Sequence, residues 1–125
     1  MMKHNSHSTG IQGEEVASRY LVKKGYRILE RNYRCEHYEI DIIAEQGNTI
    51  VFCEVKTART ERFGPSIMWV TPEKIKHISR AAEEYIATHD TNGFSFRFDV
   101  IGLEVKDGKT KINHIENAFI APEDV

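Results

Sequence analysis

The sequence predicts an α/β domain around one mixed sheet, its elements in the order α-β-β-β-α-β-β. Two stretches place apolar residues three and four positions apart, as amphipathic helices do. Five short runs alternate or concentrate Ile and Val between turn formers, as strands do. Gly10 to Lys24 reads as the first helix, with Val16/Tyr20 and Ala17/Leu21 as apolar pairs and Gly25 as its stop. Tyr26 to Tyr33 is a first, less regular strand. Glu39 to Ile43 and Val51 to Thr57 are the second and third, joined through Glu45-Gln46-Gly47-Asn48-Thr49. Thr57 to Val70 is a polar loop. Thr71-Pro72 then supplies a capping hydroxyl and a proline at the first helical position. That helix runs to about His89, with Ile75, Ile78, Ala82, Tyr85 and Ile86 on one face, and Asn92-Gly93 breaks it. Ser95 to Val105 alternates as a strand, Asp107-Gly108 turns it, and Thr110 to Glu116 is the last.

A chain of 125 residues is one domain, long enough for a core without staples. Residues 10–120 form it, between a polar tail at 1–9 expected to be disordered and a short tail at 121–125. The tail has no apolar core of a secretory signal, and no run approaches the ~20 apolar residues of a membrane span. Cys35 and Cys53 make neither a disulfide framework nor a zinc set, so a reducing, cytoplasmic compartment is expected. Net charge is −2. Nucleic-acid-binding domains are markedly basic, so this balance argues against strong autonomous binding of nucleic acid and leaves room for a basic protein partner.

Chemistry concentrates in the central hairpin. If Glu45 pairs with Ile50, the same register sets Asp41 opposite Glu54 and Glu39 opposite Lys56. Opposed side chains point the same way with Cβ atoms about 4.5–5.5 Å apart, and like charges so placed repel. A divalent cation would offset that repulsion, because hard cations take carboxylate oxygens at close range. A two-residue Gln46-Gly47 loop is the alternative, and it places Glu39, not Asp41, opposite Glu54. An ordinary solvated strand face with a Glu39–Lys56 ion pair also accounts for the pattern.

The order of elements, with Asp41 and Glu54-Val55-Lys56 on consecutive strands, resembles the PD-(D/E)xK nuclease core. That is the restriction-endonuclease-like fold shared with archaeal Holliday-junction resolvases. More closely, the chain resembles the YraN family of uncharacterised bacterial proteins. The residues that carry this are Gly13-Glu14, Ala17, Leu21, Gly25, Arg31-Asn32-Tyr33-Arg34, Glu39-Ile40-Asp41, Phe52-x-Glu54-Val55-Lys56, Lys74 and Asn117-Ala118-Phe119. Tyr38 departs from the family pattern, which usually has glycine there, and Trp69 stands where a small residue is common.

The resemblance implies a metal-dependent endonuclease acting on nucleic acid, DNA in the first instance and branched or damaged DNA among its forms. Asp41 and Glu54, with the Val55 carbonyl, would ligate Mg²⁺ or Mn²⁺. Lys56 would place a compact positive charge beside the developing phosphorane. Glu14 would complete the site, with Glu15 and Glu39 as substitutes if the helix is rotated. Arg59, Arg62 and Lys74 would contact the backbone phosphates, and Trp69 could stack on an unpaired base. Resolvases of this fold act as dimers, so a homodimer is implied too. The competing reading is a non-catalytic nucleic-acid or protein adaptor on a nuclease fold. Asp99 reads as a strand ion pair with Arg97, and the histidines have no ligand spacing.

Overall fold

The computed structural model describes residues 6–58 and 70–122. It contains α1 (Ser6–Lys23), β1 (Arg27–Cys35), β2 (Tyr38–Gln46), β3 (Thr49–Ala58), α2 (Pro72–Thr88), β4 (Ser95–Lys106) and β5 (Lys109–Phe119). The order is the one the sequence predicts. One five-stranded sheet runs β1-β2-β3-β4-β5. Its neighbours are antiparallel except β3 and β4, which are parallel because α2 carries the chain back across the sheet.

α1 begins at Ser6, so residues 6–9 belong to the helix rather than to the expected tail. Apolar periodicity marks only the turns that pack on the sheet, and polar residues ahead of them can continue the same helix. Its other end closes as the glycine predicts. Gly25 takes φ +97°, the Tyr26 amide donates to the Leu21 carbonyl at 2.9 Å, and the Gly25 amide donates to Val22 at 3.0 Å. α2 starts as predicted, with the Lys74 amide donating to Thr71 Oγ1 at 3.1 Å and proline next in the chain.

Each face of the sheet carries a core. Ala17 and Leu21 of α1 pack with Tyr26, Ile42, Ala44, Val51, Cys53, Ile101 and Leu103. Ile78, Ala81, Ala82 and Tyr85 of α2 pack with Ile40, Ile43, Ile50 and Phe52. Val16, expected to pair inward with Tyr20, is 37 % exposed, so the inward seam of α1 is Ala17–Leu21. Gly13 lies close on β3: a Cβ there would be 2.6 Å from Thr57 Oγ1. Glycine lets the start of the helix lie on the strand.

Candidate metal centre

The hairpin adopts the first of the two registers. Gln46 pairs with Thr49, Glu45 with Ile50, and the ladder continues to Ile42 and Cys53. It stops there, one step short of Asp41 and Glu54. Toward its start β2 stays with β1, where Glu39 opposes Arg34 and Tyr38 opposes Cys35. Toward its end β3 stays with β4 as far as Ala58 and Glu104. The two strands therefore part, and Asp41 stands in the fork. Ile40 and Ile43 both face α2 while Ile42 faces α1, so strict alternation fails at this point. Ile40 and Ile42, two positions apart, therefore lie on opposite faces of the sheet.

Parting strands leave a backbone amide without a ladder partner, and a buried amide needs one. Asp41 supplies it: the Val55 amide donates to Asp41 Oδ2 at 2.8 Å. Asp41 is thus fixed by the strand that carries the second acid. Glu54 follows the alternation of Ile50 and Phe52 to the α2 side and is buried. Its Oε2 lies 3.5 Å from Lys56 Nζ and 3.8 Å from Lys74 Nζ. Its Oε1 is buried with no hydrogen-bond partner. Burial, reinforced by the Asp41 charge, pushes the Glu54 carboxyl up to about 8, and Lys74 and Lys56 pull it down without prevailing.

Glu14 approaches from α1. Its carboxyl is raised above the ordinary range, first by burial and then by Asp41. Asn32, at φ +54° in β1, hydrogen-bonds it and partly counters that rise. Glu14 Oε1, like Glu54 Oε1, is buried without a partner. The two substitutes are engaged elsewhere. Glu15 binds Arg31 at 2.9 Å and Arg19 at 3.0 Å, which hold its carboxyl below the usual value. Glu39 turns to Arg34 at 3.7 Å, so the Glu39–Lys56 pair expected from the extended register is replaced by Glu39–Arg34 and Lys56–Glu54.

The fork brings together Asp41, Glu54 and Lys56, adds Lys74 from α2, and sets Glu14 alongside. Arg59, Arg62 and Trp69 lie outside the described residues. Asn32 was not foreseen, although an asparagine inside a strand run is a signal of irregular backbone. Among the described residues no three His, Cys, Asp or Glu side chains lie close enough together to hold a metal ion on their own. What the fork offers is two adjacent carboxylates and orphaned buried oxygens on Glu14 and Glu54. That donor set suits a hard cation that keeps several waters, and orphaned buried oxygens are otherwise costly.

A second polar cluster escaped the sequence reading beyond its Arg97–Asp99 pair. Asp99 is fully buried between β4 and β5. Arg97 grips it with Nε and Nη2 at 2.9 Å each, His114 Nε2 lies 2.7 Å away, and the Asn117 amide donates at 3.0 Å. Tyr26 Oη accepts from Arg97, and Tyr20 Oη lies 3.0 Å from His114 Nδ1. Burial would raise the Asp99 carboxyl, but these donors more than offset it and hold it low.

The sequence model of the uncharacterised protein family UPF0102 matches residues 13–103. The chain belongs to that family. A UPF0102 protein of Syntrophomonas wolfei is 48 % identical over 110 residues, covering 88 % of this chain and 96 % of its own. One from Caldicellulosiruptor saccharolyticus is 44 % identical over 117 residues, covering 92 % of this chain and 99 % of its own. Membership confirms the YraN resemblance, and the family's description assigns it no activity. Among solved structures, that of Pyrococcus furiosus SfsA in complex with Ca²⁺ aligns with a TM-score of 0.36 and 16 % identity, over 90 % of this chain and 64 % of that one. No helix among the described residues is long and apolar enough to cross a membrane.

Proposed function

We propose that this UPF0102 protein is a metal-dependent nuclease that hydrolyses phosphodiester bonds in nucleic acid, with Asp41 and Glu54 as metal ligands. The observation that carries the proposal is the fork itself. A buried glutamate with an unpartnered oxygen sits beside a second carboxylate, with two lysines at its edge. Like-charge burial of this kind is destabilising in the free protein and becomes favourable once a cation is present.

Mg²⁺ or Mn²⁺, held by Asp41, Glu54 and the Val55 carbonyl, would polarise a phosphate oxygen and lower the pKa of bound water. The chain's own contribution is placement and charge. The Val55 amide fixes the Asp41 carboxylate, so the first ligand is oriented before the cation arrives. Glu54, its carboxyl raised to about 8 in the free protein, would have to give up its proton to serve as a ligand. Lys56 and Lys74, both only about one-third exposed, then face the scissile phosphate and offset charge developing on its oxygens. Glu14 and its orphaned oxygen stand where a water can be oriented.

Net charge of −2 favours an adaptor that binds nucleic acid or protein without cutting. Cleavage of labelled duplex, single-stranded, flap and four-way-junction DNA with Mg²⁺ or Mn²⁺ separates the two. The nuclease cuts at least one of these, and Asp41→Ala and Glu54→Ala each abolish the cut. Folded protein that cuts none of them in either metal belongs to the adaptor reading.

A further inference from the structure

Resting on the nuclease reading, we infer that His37, Tyr38 and His77 form a stacking platform for an unpaired base. The preferred substrate is accordingly a single-stranded or splayed nucleic-acid segment rather than continuous duplex. The three rings make a row that crosses from the β1–β2 turn to α2. His37 and Tyr38 have centroids 4.3 Å apart with planes at 42°, and Tyr38 and His77 have centroids 4.9 Å apart at 46°. His37 is exposed, while Tyr38 and His77 are half-buried, so the row is anchored on one side and open on the other. Such a surface accepts the flat face of any base, which explains why stacking sites tolerate sequence but demand an unstacked base.

Two observations tie the row to the fork. Tyr38 opens β2, which continues through Ile40 to Asp41. His77 is one turn beyond Lys74, whose Nζ reaches Glu54, and Arg80 is one turn beyond His77. Lys74, His77 and Arg80 thus form a strip about 9 Å long on one side of α2. Cation and ring alternate along it, the combination that binds a strand through its phosphates and bases together. Tyr38 and Arg80 share the wall of one cleft, which Glu83, Glu84 and Glu36 close with negative charge. The strip therefore runs from the fork to Arg80 and ends there. A base on the rings would lie beside the phosphate at the fork, a position continuous duplex cannot supply without unstacking.

The test is fluorescence anisotropy of a labelled oligothymidylate and a labelled blunt duplex, measured in EDTA so that nothing is cut. Tyr38→Leu and His77→Ala should each weaken single-strand binding about tenfold, the effect expected of one stacked base, and leave duplex binding where it was. Tyr38→Phe, which keeps the ring, should restore the single-strand affinity, and this distinguishes stacking from a loss of packing against α2. Unchanged single-strand affinity in both Tyr38→Leu and His77→Ala overturns the platform, as does an equal loss on duplex. Cleavage of the same oligonucleotide with Mg²⁺ is read in parallel. Ring-dependent binding by a wild type that cuts neither this oligonucleotide nor the duplex, flap and four-way-junction DNA in Mg²⁺ or Mn²⁺ removes the nuclease and leaves the platform. Cutting with no dependence on either ring removes the platform and leaves the nuclease.

Discussion

Glutamine at position 54 keeps the shape of the buried side chain and removes its charge. Glu54 is buried, and its carboxyl is pushed from 4.5 to about 8 by that burial and by Asp41. Ionising it inside the fold therefore costs up to roughly 5 kcal/mol relative to the unfolded chain. Below about pH 4.5 both states hold the proton and the group is neutral to stability. Between 4.5 and 8 only the folded state keeps it, so stability falls as pH rises, and above 8 the whole cost is present. Glu54→Gln removes the cost and also leaves Lys56 and Lys74 without their partner. Those ion pairs, partly exposed at 37 % and 32 % for the lysines, are already counted in the value of about 8, because both lysines pull it down. At pH 9 without metal the variant should be more stable by up to roughly 5 kcal/mol. For a chain of this size that is a rise in Tm of up to about 15–20 °C. At pH 5, half a unit above the unfolded value, the difference should shrink to under about 1 kcal/mol. Urea or thermal unfolding of both proteins from pH 5 to pH 9 reads this directly. Equal stability at pH 9, or an advantage that is just as large at pH 5, would refute the reasoning.

Two further outcomes follow from the packing. Asp99→Ala leaves Arg97 and His114 facing a buried gap and should cost about 3–5 kcal/mol in urea unfolding. Because the Asp99 carboxyl is held low, its contribution is present above about pH 3.9 and disappears as pH falls through its folded value. The wild type should accordingly lose stability on that acid limb, and Asp99→Asn should lose less there. Gly13→Ala places a methyl 2.6 Å from Thr57 Oγ1 and should cost about 1–3 kcal/mol while shifting the neighbouring Glu14. Adding Thr57→Ala should recover most of the loss, which thermal melting of the single and double variants would show.

Much of the frame was legible because it depends on local chemistry. Thr71-Pro72 started α2, Gly25 ended α1, and the four-residue connection between Glu45 and Ile50 set the hairpin register. The two-sided burial of the sheet also explains why β2 reads as a nearly continuous apolar run. What local pattern does not encode is where two paired strands part. The register was extended through Asp41 and Glu54, but each strand is held by its other neighbour there, and the carboxylate takes the place of a ladder bond. Lys74 was named through the resemblance as a phosphate contact, but its approach to Glu54 depends on the α2 crossover, which no spacing reveals. The Asp99 cluster was hidden for the same reason: Tyr20, Tyr26, Arg97, His114 and Asn117 are scattered along the chain and meet only in the folded sheet.

The most direct measurement is a calorimetric titration of Mn²⁺ into the wild type, Asp41→Asn and Glu54→Gln at pH 7 in buffers of different ionisation enthalpy. Glu54 holds a proton at that pH and must give it up to become a ligand. Saturable binding by the wild type is expected, with an enthalpy that tracks the buffer because a proton is released, and both substitutions should abolish it. Binding that both substitutions leave intact, or no binding by the folded wild type at millimolar Mn²⁺, would contradict a metal centre at the fork of β2 and β3.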